Sequence, residues 1–315
     1  MQTDPALDLC LVPFYYIAQY ENATRMLTIP FVDMIALGRN LPLNEEHLVF
    51  IQSTGRAGST LASQIFAQLD GVANVSEPDA LMDLTAALNS GGLDTADLLA
   101  LTDATVRILA NVQAERGHVI KGRSFAIELG EMFHVLFPRA KSVFLYRNAK
   151  SFALSSLRAF EGGEERSEEE TQQTLAMFWS VFASQHPMIA ALPDEYPLVP
   201  VRMLSYQWLA VMERYMQLYE KGVEMLAIDY QSWIDRPRET AAAMLDYCGM
   251  LPDDLTAVYA ALDRDSQEGT VLSRSEVRDH DTWVKSANLL ELHNVLAQQP
   301  LINTADFVAP NTLWQ

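Results

Sequence analysis

The segment Ser53-Thr54-Gly55-Arg56-Ala57-Gly58-Ser59-Thr60-Leu61 holds the residues of this chain best suited to chemistry. Two glycines let a backbone turn tightly enough for successive N–H groups to point inward, and Arg56, Ser59 and Thr60 add side-chain donors. A helix starting behind the second glycine would bring the partial positive charge of its N-terminus to the same spot. An anionic group is the natural occupant of such a loop. No Lys precedes Ser59 or Thr60, and the glycines stand too close together for a Walker A sequence, so a kinase using ATP or GTP is disfavoured. The alternative is a plain glycine turn with a hydroxyl helix cap.

Such a loop needs a strand in front and a helix behind. Leu48, Val49, Phe50 and Ile51 form a short apolar run ending at Ser53, and a helical pattern extends from Ser59 to Leu69. Short apolar runs recur at Val119 to Ile120, Ser142 to Tyr146 and Val223 to Ile228, each followed by a helical pattern. This alternation predicts an α/β fold: a parallel central sheet with helices on both faces. Helices are expected over Thr171 to His186, Met203 to Glu220 and Pro237 to Cys248, and a further helix before Pro30. Residues 161–170 carry six Glu and one Arg, and 161–200 reads either as a charged surface connection or as a lid or acceptor-pocket insertion.

The chain has 315 residues, 49% of them hydrophobic and 20% charged, which is enough to bury a large core. One domain spanning 1–315 is expected, with its core in 47–250 and helical additions around it. A formal net charge of −19 repels polyphosphate, so nucleic acid is not an expected partner; a small anion can still bind where basic residues converge. No apolar stretch suits a membrane span, and the acidic start does not look like a signal peptide, so the cytoplasm is the expected compartment. Cys10 and Cys248 are too few and too far apart for a disulfide framework or a zinc site.

The loop residues resemble those of the sulfotransferases that use 3′-phosphoadenosine 5′-phosphosulfate. In that family the phosphosulfate loop is a basic residue, a small one, Gly and two Ser/Thr, which Arg56-Ala57-Gly58-Ser59-Thr60 matches position by position. Tyr146-Arg147-Asn148 through Ser155 looks like the family's second signature, a strand ending in Arg-Asn and a helix with Ser eight places after the Arg. Those two residues hold the 3′-phosphate in the family. A long Arg at a strand's C-terminal end and a hydroxyl on the next helix can converge at the mouth of a parallel sheet. Ile228 to Pro237 resembles the family's late strand, Tyr and proline-started helix, which would set Tyr230 against the adenine or leave it as a core tyrosine. The resemblance implies a P-loop type of nucleotide-binding fold. It implies donor-site residues Thr54, Gly55, Arg56, Ala57, Gly58, Ser59, Thr60, Leu61, Arg147, Ser155 and Tyr230, PAPS as donor with PAP as product, and chemistry that requires no metal.

Departures are also visible. Leu61 stands where the cytosolic enzymes have Trp, Arg56 where they have Lys, and a late Arg-Lys-Gly triplet is absent; Arg274 or Arg278 is a candidate substitute. The cytosolic members place a basic His two positions after a Lys. Here Lys121 is retained while Arg123, which cannot accept a proton, occupies the position of that His. Another branch uses a Glu twenty-one residues after its loop Arg, which is Glu77 here. Glu77 therefore reads as the general base, or as a carboxylate facing a helix N-terminus, and Lys121 as a charge-balancing residue or a surface lysine. His134 is expected to be packed beside Phe133 and Phe137, His47 and His118 to lie at the solvent edge, and Glu128, His186 and His280 remain reserve bases.

The reading is sulfuryl transfer to a hydroxyl, or an amine, of a small-molecule acceptor bound by Pro78 to Leu88, Arg123 to Glu128 and Phe178 to His186. The alternatives are a nucleotide-binding module without turnover and an atypical P-loop kinase.

Overall fold

Leu48 to Ser53 is buried at every position, and this two-faced burial sets the architecture. The computed structural model describes residues 1–4, 7, 9, 12, 14–112, 114–160, 167–192, 198–266 and 286–314. In it this segment is β1, the centre of a five-stranded sheet. The remaining strands are β2 (Val72–Ser76), β3 (Gly117–Lys121), β4 (Lys141–Tyr146) and β5 (Leu226–Asp229). They are ordered β2-β3-β1-β4-β5 and every pairing is parallel. The alternation of side chains divides the core in two. Leu48, Phe50, Ile120, Phe144 and Tyr146 point into one apolar cluster. Val49, Ile51, Val119, Val143 and Leu145 point into another. Helices cover both clusters, which is why these strands are apolar on both sides.

β2 is harder to recognise in sequence because Asn74 and Ser76 interrupt it. Both are buried, and Asn74 Oδ1 accepts a 2.8 Å hydrogen bond from Ser63 Oγ on the helix Ser59–Ala67. That bond removes the penalty of an unsatisfied amide in the core.

Topology fixes where a ligand can sit. From β1 the chain goes out to β2, returns at β3, then crosses to β4 and on to β5 on the far side. β1 and β4 are thus neighbours whose onward connections diverge, and the crevice at their C-terminal ends is the standard ligand position of an open parallel sheet. Ser53 pairs with Leu145, so the loops leaving the two strands begin side by side.

Several expectations change. The helix expected before Pro30 is Tyr15–Glu21, and a second helix, Phe31–Arg39, follows with Pro30 as its N-cap. A proline suits that boundary because its missing N–H is not needed there. β5 begins only at Leu226, and the helix expected from Thr171 begins at Glu168, where Ser167 and Glu170 form a reciprocal capping box. His134 is exposed rather than packed: Phe133 and Phe137 take the inward face of their turn and leave it outside. Residues 161–166, which hold half of the acidic run, lie outside the described residues, as do Cys10, Arg274, Arg278 and His280. No described helix is long and apolar enough to cross a membrane.

Candidate active site

The loop after β1 turns through three left-handed residues, Gly55, Arg56 and Gly58, at φ of 84°, 52° and 83°. Glycine tolerates this conformation, but Arg56 incurs a backbone cost of about 1–2 kcal/mol. Gly58 also has no room for a side chain: a Cβ there would lie 3.1 Å from Trp233 Cδ1 and 3.6 Å from Tyr230 Cδ2. Gly58 is the N-cap of the helix Ser59–Ala67 and supplies no side-chain cap to it. Ala57 is fully buried and offers only its backbone; Leu61 is partly buried against the cluster that holds Trp233.

The second turn, after β4, interlocks with the first. Arg56 Nε donates to Ser155 Oγ at 3.1 Å, and Arg147 Nη1 donates to Arg56 O at 3.2 Å. Arg147 is held on three more sides. Its Nε donates to Ser151 Oγ at 3.0 Å, its guanidinium lies 4.2 Å from the Tyr230 ring centroid, and its carbonyl accepts from Trp208 Nε1 at 2.7 Å. Burial lowers the pKa of both arginines, and for Arg56 the nearby Arg147 charge adds to the effect. Both remain cationic at any physiological pH. The two guanidiniums thus concentrate positive charge beside the C-terminal ends of β1 and β4.

The ends of β2 and β3 bring up the third part. Glu77 N donates to Lys121 O at 2.7 Å, continuing the ladder beyond β2 and turning the Glu77 side chain over the loop. Lys121 is 1% exposed rather than a surface lysine. Its Nζ contacts Glu77 Oε1 at 2.5 Å and the hydroxyls of Thr60 and Ser76 at 3.4 Å each. Arg123 Nε lies 3.8 Å from Glu77 Oε2, and its guanidinium also pairs with Asp79 and packs 3.8 Å from the Tyr16 ring centroid. Glu77 sits at φ 58°, left-handed, immediately before Pro78. A residue before proline normally prefers extended backbone, so this strain of about 1–3 kcal/mol is imposed by the surroundings. Arg56 and Glu77 are two of only four non-glycine residues at positive φ among those described.

Two cavities border this constellation. One of about 190 Å3 is lined by Arg147, Ser151, Leu154, Ser155 and Arg158. A second, of about 230 Å3, lies between the helices Ala149–Phe160, Glu168–Gln185 and Pro200–Glu220. Its walls include Leu157, Leu175, Phe178, Phe182, Met203 and Leu204. Packed side chains separate it from the loop at two places. Phe152 packs near Gly55 while Ser156, one turn on, lines the cavity; Ser124 faces Gly55 while its neighbour Phe125 makes an edge contact with Phe182 at 5.4 Å. Of the three segments expected to bind an acceptor, only Phe178 to His186 contributes to this wall.

The reserve bases Glu128 and His186 are occupied with each other, His186 Nε2 lying 3.0 Å from Glu128 Oε1 with both side chains buried. His186 Nδ1 accepts from Met188 N at 3.2 Å, so neither ring nitrogen is open to a substrate. Sequence reasoning missed Trp233, Ser151 and Arg158. Ser151 and Arg158 share a helical face with Ser155, a spacing that was readable; Trp233 reaches Gly58 only through the fold. Among the described residues no group of three or more His, Cys, Asp or Glu side chains is arranged to hold a metal ion.

No protein-family model and no curated protein matches the chain. Among solved structures it is similar to a sulfotransferase domain from the curacin biosynthetic pathway, at 18% identity and a TM-score of 0.47, over 71% of this chain and 80% of that one.

Proposed function

We propose that the chain is a sulfotransferase that moves the sulfuryl group of 3′-phosphoadenosine 5′-phosphosulfate to a hydroxyl, or less readily an amine, of a small molecule. The observation that carries the reading is the interlock of the two turns: Arg56 reaches Ser155, and Arg147 reaches back to Arg56, across the switch point between β1 and β4. One nucleotide bearing phosphate at both ends can span turns that touch.

The residues fit such a donor. The amides from Gly55 to Thr60 and the hydroxyls of Ser59 and Thr60 suit the 5′-phosphosulfate, Arg147 and Ser155 suit the 3′-phosphate, and the flush packing of Gly58 on Trp233 lets backbone approach the ligand. When bound, the donor supplies a sulfuryl group joined to phosphate through a breakable S–O bond. Arg56 and the loop donors face the charge that develops on the departing phosphate, and the loss of one such donor typically costs about a hundredfold to a thousandfold in rate. Lys121 contacts both Thr60 and Glu77, so it joins the loop to the base. As Lys121 turns to the donor oxygens, Glu77 is released to accept the acceptor's proton at a carboxylate oxygen. The apolar cavity supports an uncharged acceptor with an apolar body.

Calorimetric titration of the full chain with PAP, against ATP with magnesium, tests the donor. Tight PAP binding and weak ATP binding are expected. The reverse order would favour a kinase, and PAP binding without transfer from labelled donor to a panel of alcohols would favour a binding module.

A further inference from the structure

We propose that Asp79 and Tyr16 are positioning residues that hold Arg123 back from Glu77 and so keep Glu77 Oε2 open to the acceptor's proton. This deepens the sulfotransferase reading and rests on Glu77 being its base. Glu77 and Asp79 stand on either side of Pro78, Glu77 just beyond β2 and Asp79 in the first turn of the helix Asp79–Ser90. Their carboxylates flank one guanidinium. Arg123 Nη2 donates to Asp79 Oδ1, while its Nε stops 3.8 Å from Glu77 Oε2, beyond hydrogen-bond distance. That Nε is buried and makes no hydrogen bond among the described residues, so closing the gap would satisfy it. Two contacts resist the closure: the pairing with Asp79, and the Tyr16 ring, whose centroid lies 3.8 Å from the guanidinium carbon.

The gap matters because a base needs a free lone pair. Lys121 Nζ already occupies Oε1 at 2.5 Å. A charge-assisted bond from Arg123 to Oε2 would give the carboxylate a donor on each oxygen, which favours its ionised form and weakens its hold on an incoming proton. Proton transfer in the transition state weakens with it. The Arg123 side chain is 30% exposed against 1% for Lys121, so of the two cations it is the one with room to move. Two further titratable groups face the cluster. Burial raises the pKa of the Tyr16 phenol, on which the Arg123, Glu77 and Asp79 charges all act. Asp83, one turn along the helix from Asp79, is raised by burial and then by Asp79, with Arg123 opposing. Arg123 itself cannot take the proton, as a His in its place would, but its distance sets how well Glu77 can.

The test follows the Glu77 carboxyl carbon by NMR in the full chain with PAP, its signal identified by its loss in Glu77→Gln, and reads kcat against pH with labelled donor and n-octanol. Asp79→Asn should lower the titration midpoint of Glu77 by about one pH unit and kcat by about threefold to tenfold, with PAP affinity within about twofold. Tyr16→Leu removes no charge, so a midpoint that moves the same way reports the loosened guanidinium and not a lost field. It also carries the test should an Arg123 variant not fold. In an Arg123→Gln background, Asp79→Asn should change either reading by less than about half as much. Equal effects of Asp79→Asn with and without Arg123 overturn the proposal, as does a Tyr16→Leu midpoint equal to that of wild type. If Glu77→Gln is inactive and Asp79→Asn behaves as wild type, Glu77 is the base and the positioning role alone falls. If Glu77→Gln turns over normally, the base reading fails and this inference with it.

Discussion

Lys121 Nζ lies 2.5 Å from Glu77 Oε1 in a site where the lysine is 1% exposed and the glutamate side chain is 16% exposed. A buried ammonium that loses its counter-charge is costly, about 3–5 kcal/mol in comparable cases. The same pair thus carries a stability role and, in the proposed mechanism, a proton-accepting one, and substitutions can separate the two.

Glu77→Gln keeps an amide oxygen for Lys121 but cannot take a proton. It should fold, bind PAP within about threefold of wild type and lose at least about a hundredfold in kcat with labelled donor. Glu77→Ala removes both functions and should also lower the melting temperature. If Glu77→Gln turns over normally while Glu77→Ala only melts earlier, Glu77 is a structural partner and the base lies elsewhere.

Gly58 allows a second separation. At φ 83° any other residue incurs left-handed strain, and the new Cβ would meet the Trp233 ring at 3.1 Å. Gly58→Ala is expected to cost about 1–2 kcal/mol of stability and to weaken PAP by at least about tenfold, because the loop amides move. Gly91→Ala is the control. It is also left-handed, at φ 63°, but a Cβ there meets nothing within 4 Å, so it should bring a comparable strain and leave donor affinity alone. Equal effects on PAP from both would show that Gly58 matters only for folding.

These two sites also show how far the sequence carried. The glycine spacing and the apolar run before it announced the loop, because a strand buried on both faces must be apolar at every position. Arg147 and Ser155 were legible for a similar reason: a strand end and the following helix are local, and eight residues fix their separation. Glu77 needed a count from the loop arginine, since β2 hides behind Asn74 and Ser76. Trp233 was not legible, because it meets Gly58 only after β5 pairs with β4. Nor was the burial of Lys121, which depends on Ser76, Glu77 and Thr60 converging from two other elements. His134 misled because an aromatic neighbour on each side suggests packing, whereas a helix turn buries only the positions facing the core.

Glu213 gives the pH dependence. Burial raises its carboxyl pKa above the ordinary range. A carboxyl whose folded pKa is raised favours the folded state below its unfolded pKa, and that contribution is lost as pH rises through the raised value. Gln, which cannot ionise, should escape the loss. Glu213→Gln is therefore expected to raise the melting temperature relative to wild type at about pH 8 and to change it less near pH 4. Thermal unfolding at the two pH values checks this; a larger gain in acid would contradict the sign.

In the proposed reaction the apolar cavity would select the acceptor. Its walls come from Leu157, Leu175, Phe178, Phe182, Met203 and Leu204, and the Thr171 and Thr174 hydroxyls in it are already donated to their own helix, to Ser167 O and Glu170 O at 2.9 Å each. A sugar would leave most of its hydroxyls unpaired there, at a cost of about 1–3 kcal/mol each, whereas an alkyl or aryl body gains about 0.8 kcal/mol per buried methylene. Acceptor alcohols of increasing chain length should therefore show falling KM with little change in kcat until the cavity is full. Leu175→Trp fills part of that volume from a position outside the donor loop. It should abolish the chain-length dependence, raise KM most for the longest alcohols and leave PAP affinity unchanged. A Leu175→Trp enzyme that handles short and long alcohols as wild type does would place the acceptor elsewhere, against the expected Pro78 to Leu88 and Arg123 to Glu128 segments alone.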